Sequence, residues 1–151
     1  MNDKYFMKEA LKEAELAYAK DEVPIGAIIV KDQEIIARAH NLKEGRQNPL
    51  AHAELLAIEK ASNRLGTWRL HNCSIFVTLE PCPMCAGAIV QARFKRVVFA
   101  ASDPKSGACG TLYNLVQDER LNHSLEVKSG ILADKSSNIL KDFFQKLRNR
   151  N

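Results

Sequence analysis

Two cysteines three positions apart, Cys82 and Cys85, constrain this chain more than any other feature of its sequence. They stand in the first turn of a helical pattern, Pro81 to Gln91, that directly follows a β-branched run from Ser74 to Leu79. A second β-branched run, Arg96 to Ala101, comes next. Because strands that alternate with helices favour a sheet with parallel pairs, the thiols are expected to open a helix of an α/β fold.

The rest of the chain continues this alternation. The further predicted elements are a helix from Asp3 to Lys20, strands from Pro24 to Val30 and Ile35 to Ala39 joined as a hairpin, a helix containing Leu55 to Leu65 that stops at Gly66, a short helix near Leu112 to Val116, a strand around Leu125 to Lys128 and a helix from Asp134. Gln33 is a poor residue for a hairpin turn that needs positive φ. We predict a three-layer α/β/α sandwich with a five-stranded mixed sheet, forming one domain over residues 1–151 at the usual allotment of roughly 100–200 residues per domain.

Composition narrows the function classes. The chain is 46% hydrophobic and 26% charged, as an ordinary globular domain is. Its longest apolar run, Val23 to Val30, has eight residues and contains a proline and a glycine, whereas a membrane-spanning helix needs roughly 20 apolar residues. No secretory signal pattern is visible, so we expect cytoplasmic residence and no membrane partner. In a reducing compartment a close cysteine pair indicates a metal or redox site more readily than a disulfide.

His52, Cys82 and Cys85 together supply the donors of a catalytic zinc site, in which three protein ligands leave a fourth position for water. Bound zinc lowers the pKa of that water to about 7. Glu54 suits a general acid and base that holds the water and relays its proton. Because residues two apart on a regular helix differ by about 200° in direction, we expect His52 at or just before the first helical residue.

Other interpretations of these residues stay open. The cysteine pair alone is also typical of a thioredoxin-like site or half of a structural zinc site. A structural site needs a fourth ligand, which the sequence offers at Cys73, Cys109, His40, His71 and His123. The net charge is +4, and residues 128–151 hold six basic against two acidic side chains. Such a stretch is either a solvated helix face or a surface for a polyanion.

The motifs resemble the signature of the zinc-dependent nucleobase deaminases of the cytidine and deoxycytidylate deaminase superfamily, and especially their tRNA-specific branch. The central residues are His52-Ala53-Glu54 and Pro81-Cys82-Pro83-Met84-Cys85-Ala86-Gly87-Ala88. Further similar segments are Val23-Pro24-Ile25-Gly26-Ala27, Ala39-His40-Asn41, Gly66-Thr67-Trp68-Arg69-Leu70, Asp103-Pro104-Lys105, Leu121-Asn122-His123 and Asp142-Phe143-Phe144. The likeness covers nearly the whole chain.

The resemblance implies a cytidine-deaminase-like fold with one Zn²⁺ per chain. It implies hydrolytic deamination of adenosine to inosine at the wobble position of a tRNA anticodon, usually that of an arginine tRNA. It also implies a homodimer in which one subunit's groove borders the partner's site, and the small residues 86–88 would permit close helix approach. The anticodon stem-loop is then the partner.

The same resemblance implies roles for several residues. Glu54 would be catalytic, and His52, Cys82 and Cys85 would bind the metal. Asn41 and Ala53 would contact the flipped-out base, although Asn41 is also an ordinary turn residue at a strand end. The residues implied to line the anticodon-loop groove are Asp103, Lys105, Asn122, His123, Phe144 and Arg148. Several apolar side chains of the last helix, Phe144 among the candidates, should instead form its buried stripe.

Two alternative functions stay open on the sequence. One is a free-base or nucleoside deaminase, of guanine or cytosine type, with the same metal site. The other is a noncatalytic RNA-binding module with structural zinc. Binding that weakens steeply with salt would favour an RNA substrate over a neutral base.

Overall fold

The computed structural model describes residues 2–150. Its elements in chain order are α1 (Asp3–Ala19), β1 (Gly26–Lys31), β2 (Glu34–His40), α2 (Lys43–Arg46), α3 (Ala53–Leu65), β3 (Cys73–Leu79), α4 (Pro83–Gln91), β4 (Arg96–Ala101), β5 (Glu126–Ser129) and α5 (Ala133–Asn149). A 3₁₀ turn covers Leu115–Gln117. None of the helices in this range has the length and apolar character needed to cross a bilayer.

The five strands form one mixed sheet in the order β2-β1-β3-β4-β5. β1 pairs antiparallel with both β2 and β3, whereas β3, β4 and β5 run parallel. Helices α3 and α4 pack on one face through a cluster that includes Ala57, Ile89 and Val97. Helices α1 and α5 cover the other face, where Tyr18 packs against Phe143. The predicted three-layer α/β/α sandwich is confirmed.

Helix α1 begins where the sequence predicts and lies close to the sheet at Gly26. The Asn2 side chain accepts a hydrogen bond from the Lys4 backbone N–H at 2.9 Å, which satisfies an otherwise unpaired donor of the first turn. A Cβ atom at Gly26 would lie 2.1 Å from the Ala10 carbonyl oxygen. Glycine at the start of β1 is therefore what lets the helix backbone approach the sheet.

The hairpin between β1 and β2 forms despite its turn residues. Asp32 and Gln33 both adopt positive φ, 50° and 66°. Left-handed backbone costs a non-glycine residue roughly 1–2 kcal/mol. The strands on either side, which bring Ile29 of β1 and Ile36 of β2 into the core, supply the compensating packing.

The structure differs from the predicted elements mainly at their ends. The short helix predicted near Leu112 to Val116 is wrong in type and position, because the chain there forms the 3₁₀ turn Leu115–Gln117. The last strand begins one residue later than predicted, at Glu126, and the first begins at Gly26. In the polar stretch before α3, the four-residue helix α2 forms. None of these differences moves the motif residues.

Candidate active site and metal centre

Two helix starts meet at the edge of the sheet where β3 and β4 end. His52 is the N-cap of α3, with φ −79° and ψ 149°, and therefore has extended backbone, as expected. Cys82 is the N-cap of α4, whose first residue is Pro83. Cys85 lies in the first turn of that helix and is fully buried. The strand-to-helix connection after β3 thus delivers both thiols to the imidazole.

The three side chains form a compact donor cluster. Nδ1 of His52 lies 3.5 Å from the Sγ atom of Cys85 and 3.8 Å from that of Cys82. The ligand atoms of all three lie within 4.8 Å of one another, and within residues 2–150 they form the one such group of three or more potential metal donors. Since Cys73, Cys109, His40, His71 and His123 lie outside it, the structure offers no fourth ligand from among them.

The charges within the cluster suit a divalent cation. Hydrogen bonding from the Cys85 thiol and from His52 lowers the pKa of Cys82 to about 4, which favours the thiolate form of this sulfur. The same bond to Cys82, together with burial, raises the pKa of Cys85, and the bond to Cys82 raises that of His52. A metal ion would replace the protons that these groups share. One nitrogen and two sulfur donors fit zinc, with its preference for such ligands.

Glu54 stands beside the cluster without belonging to it. It lies in the first turn of α3 and is 4% exposed. Burial raises its pKa to about 7, so the carboxyl group can both accept and release a proton near neutral pH. A buried, titratable group next to a metal-type cluster is the expected arrangement of a general acid and base.

A cavity of about 120 Å³ joins these groups to the end of the second strand. Asn41, Ala53 and Glu54 line it together with two cluster residues, His52 and Cys82. The Asn41 side chain accepts a hydrogen bond from Lys43 N–H at 3.1 Å and donates one to the Val23 carbonyl at 3.4 Å. Asn41 therefore stabilises the local turn and also faces the cavity.

A larger groove of about 790 Å³ adjoins the cavity, and the two share four lining residues: Val23, Leu79, Asp103 and Ser106. Asp103, Lys105, Phe144 and Arg148, all predicted from the resemblance, line this groove. Phe143 is buried against α1, whereas Phe144 is 39% exposed. The apolar stripe of α5 thus divides into a buried part and a part that faces the groove.

Asn122 and His123 are not brought to this groove within one chain. They precede β5, at the opposite end of the sheet, and His123 is hydrogen-bonded through Nε2 to the Phe94 carbonyl at 2.6 Å. His123 lines a separate cavity with Arg93 and Lys95. Their predicted role at the groove of the same chain finds no geometric support, and a role in RNA binding stays a prediction.

The basic C-terminal stretch also divides into two kinds of residue. Lys128, Lys146 and Arg150 form ion pairs with acidic side chains at 2.9–3.5 Å. Lys141 and Arg148 instead line the groove. Lys135 belongs to neither group, and a polyanion surface on this stretch stays a prediction.

Sequence reasoning missed Glu80, which lines the cavity and is 2% exposed. The sequence did contain a signal, because Glu80 stands between the apolar end of a predicted strand and the Pro81-Cys82 pair. A carboxylate buried there would need hydrogen-bond donors, since burial of an unpaired charge is costly.

Known proteins resemble this chain over nearly its whole length. A family model described as MafB19-like deaminase matches residues 1–148. The tRNA-specific adenosine deaminase of Bacillus subtilis is 56% identical over 148 residues, which cover 98% of this chain and 92% of that protein. The protein of the same name from Aquifex aeolicus is 47% identical, over 99% of this chain and 98% of its own.

Solved structures of deaminases also resemble this chain. The structure of a tRNA:A34 deaminase that edits A to I at the wobble position of transfer RNA matches with a TM-score of 0.87 and 42% identity, over 90% of this chain and 99% of that chain. A guanine deaminase from Nitrosomonas europaea matches with a TM-score of 0.82 at 22% identity, over 94% of this chain and 84% of that chain. The latter likeness shows the common fold.

The five-stranded mixed sheet and the site at its edge define a deaminase of cytidine-deaminase-like fold. The chain belongs to the MafB19-like deaminase family.

Proposed function

We propose that this chain hydrolyses adenosine to inosine at the wobble position of a tRNA anticodon, with an arginine tRNA as the expected substrate. The observation that carries the proposal is the buried carboxyl of Glu54 beside a three-donor cluster, in a small cavity that opens into an exposed groove. The similarity to proteins named tRNA-specific adenosine deaminase supports the choice of substrate.

One Zn²⁺ per chain would be held by Nδ1 of His52 and the sulfurs of Cys82 and Cys85. When bound, it supplies a water of lowered pKa, about 7, and hence a nucleophile near neutral pH. Three protein donors leave a coordination position for that water.

Glu54 carries the protons of the reaction. It accepts a proton from the attacking water and donates it to N1 of the purine, while the water oxygen bonds to C6. Glu54 then takes a second proton from the hydroxyl on C6 and passes it to the exocyclic nitrogen, so that the C6–N bond breaks and the C6 carbonyl forms. Adenosine and water thereby give inosine and ammonia, and no covalent bond to the protein is needed. The pKa of about 7 suits a group that must hold and release a proton in turn.

The cavity and the groove differ in size, and each would hold a different part of the RNA substrate. The cavity of about 120 Å³ is far smaller than the roughly 300–1,000 Å³ of pockets for drug-sized ligands, so it suits a single flipped-out base. Asn41 and Ala53 would contact that base. The adjoining groove combines an exposed aromatic ring, Phe144, with the cations Lys105 and Arg148. Stacking and phosphate neutralisation are how proteins hold single-stranded RNA loops.

We further propose a homodimer acting in the cytoplasm. In a dimer the Asn122 and His123 of the second subunit would be available to the groove of the first. Gly87 and Ala88 on α4 are only half-buried, and beyond the neighbouring residues and backbone of α4 itself no heavy atom lies within 4 Å of where a Gly87 Cβ would be. Sedimentation of the purified chain should give twice the monomer mass.

The function is tested with an anticodon stem-loop that carries a wobble adenosine. The zinc-loaded protein should release ammonia and leave inosine at that position, and the apparent affinity should fall by about 0.7 log units per phosphate contact for each log unit of salt. Guanine, cytosine and free adenosine serve as competing substrates. Rapid deamination of a free base, with little salt dependence and no inosine in the RNA, would favour a free-base deaminase. RNA binding without ammonia release would favour the noncatalytic module.

A further inference from the structure

Glu80 is a buried acidic residue that lies between the donor cluster and the groove and takes no part in the chemistry above. It directly follows β3 and is 2% exposed. Its backbone N–H donates to the Ala101 carbonyl at 2.9 Å, which ties it to the end of β4. Its side chain points the other way along the edge, into the segment of residues 103–111.

That segment uses both oxygens of the Glu80 side chain. Oε1 accepts hydrogen bonds from Asp103 N–H, at 3.1 Å, and from the Thr111 hydroxyl. Oε2 accepts from Cys109 N–H at 3.0 Å and from Thr111 N–H at 3.1 Å. Because a carboxylate offers about four acceptor positions, this one segment uses the full capacity of Glu80.

The segment is also shaped to fit around the carboxylate. A Cβ atom at Gly107 would lie 2.5 Å from Cδ and Oε1 of Glu80 and 2.6 Å from the Asp103 carbonyl oxygen. A side chain at this position would therefore displace the segment from Glu80. The close approach and the four hydrogen bonds fix the segment at both ends and in its middle.

The segment 103–111 contributes residues to the lining of both the cavity and the groove. Asp103 and Ser106 line the cavity and the groove, and Lys105 lines the groove. The Asp103 carboxylate in turn accepts from Lys105 N–H and from the Ser106 hydroxyl, each at 2.9 Å. The position of Lys105 thus depends on Asp103, whose own N–H is bound by Glu80.

We propose that Glu80 is a positioning residue for RNA binding: its carboxylate holds the segment 103–111 so that Asp103 and Lys105 face the RNA in the groove. The inference rests on the proposed function for its substrate. It assigns to Glu80 no contact with the reacting atoms.

The test is a double-mutant cycle between Glu80→Gln and Lys105→Ala, read as the dissociation constant of the zinc-loaded protein for the anticodon stem-loop. In Glu80→Gln an amide NH₂ replaces one acceptor oxygen and leaves buried N–H donors unpaired, so the dissociation constant should rise about tenfold. KM should rise by a similar factor, and kcat at saturating RNA should change less. Lys105→Ala should weaken binding in the wild type and have little further effect in Glu80→Gln.

Glu9→Gln is the matched control. Glu9 is also a buried glutamate, 7% exposed, but it pairs with Lys12 and Arg38 on α1 and β2, away from the segment. This variant should lose stability while Lys105→Ala keeps its full effect on binding. Thr111→Val removes one of the four hydrogen bonds without changing charge, and it replaces Glu80→Gln if that variant does not fold. It should give a smaller rise in the dissociation constant with the same non-additivity.

Additive effects of Lys105→Ala with Glu80→Gln, or with Thr111→Val, would overturn the positioning role. Failure of the wild-type protein to deaminate the stem-loop would instead overturn the proposed function. A wild type that deaminates the RNA together with additive variants separates the two outcomes.

Discussion

The cavity beside the donor cluster and the groove that adjoins it share lining residues but are built from different kinds of residue. The cavity takes its chemical groups from the starts of two helices at a sheet edge, where Cys85 and Glu54 are buried. The groove takes them from a loop and the outer face of α5, where Phe144 and Leu147 are 39% and 43% exposed. Under the proposed function, the chemistry would lie on buried elements and the substrate contacts on an accessible surface.

The difference has a physical basis. Burial raises the pKa of Glu54 to about 7 beside the three donors, which is what the proposed reaction needs of a proton carrier. An RNA loop is too large for such a space and must be met on a surface, where screening by salt weakens each charge contact. Substitutions of the groups that would carry out the chemistry, such as Glu54, should therefore change the rate, and those of residues that face only the groove should change affinity.

The largest expected effect is that of Glu54→Gln. The amide keeps the shape of the side chain but cannot relay a proton, so kcat should fall by about 10²–10⁴-fold. The dissociation constant for the stem-loop should change little. Because Glu54 lies outside the donor cluster, zinc content by atomic absorption should stay at one per chain. Loss of the metal in this variant would mean that Glu54 is itself a metal ligand, which would contradict its separate role as a proton carrier.

A smaller effect is expected in the groove, from Arg148→Ala. Losing one charged contact should weaken stem-loop binding by roughly 1.5 kcal/mol, near tenfold, and leave kcat at saturating RNA almost unchanged. The slope of log affinity against log salt should decrease by about 0.7.

Lys146→Ala is the matched control for Arg148→Ala. Lys146 lies on the same helix but pairs with Asp142 at 3.5 Å and does not line the groove. Its salt slope should equal that of the wild type. Equal slopes for the wild type, Lys146→Ala and Arg148→Ala would remove Arg148 from the RNA surface.

The opposite end of the sheet offers a test with no expected effect on catalysis. Arg96 donates two hydrogen bonds to the Asp3 carboxylate, at 2.8 and 2.9 Å, and Lys128 donates a third at 3.0 Å. The bonded Arg96 guanidinium and Lys128 hold the pKa of Asp3 below its usual value. Asp3→Asn should lower the free energy of unfolding by about 1 kcal/mol at pH 7.

The pH dependence of that difference follows from the lowered pKa. The carboxylate contributes stability above its unfolded-state pKa, about 3.9, and loses it as pH falls through the lower folded-state value. Urea unfolding of the wild type and of Asp3→Asn should therefore converge between about pH 5 and pH 2. A difference that grows as the solution becomes more acidic would contradict the assignment.

The smallest effect belongs to Lys128→Ala. The Lys128 side chain is 52% exposed, and its partner keeps both bonds from Arg96. Exposed pairs contribute about 0.2–1 kcal/mol, and the remaining bonds from Arg96 put Lys128 at the low end of that range. The change in unfolding free energy should be correspondingly small and should vanish in 1 M salt, where the Debye length is about 3 Å. Turnover should be unaffected.

The residues of the donor cluster and Glu54 could be predicted from sequence, because metal chemistry restricts the residue types and their spacing. Three donor residues and one nearby carboxyl group sufficed to locate the centre, and the rotation per residue in a helix correctly placed His52 just before α3. The order of strands and helices likewise predicted the layers. Element ends, such as the 3₁₀ turn at Leu115–Gln117, depend on local packing that periodicity does not show.

The residues that face the groove were harder to predict from sequence. Phe143 and Phe144 are adjacent and equally apolar, and only the packing of α5 on α1 decides which of them faces the groove. The location of His123 depends on β5 running parallel to β4, which puts the residues before β5 at the far end of the sheet. Glu80 was missed because its four hydrogen-bond donors belong to residues that lie 23 to 31 positions later in the chain.

X-ray absorption at the zinc edge of the purified protein measures how many protein ligands the metal has. We expect one zinc per chain with two sulfur donors, one imidazole nitrogen and one oxygen from solvent. The same spectrum is expected for Glu54→Gln. A fourth protein ligand, or a first shell that changes when Glu54 is replaced, would contradict a centre made of three ligands and a separate proton carrier.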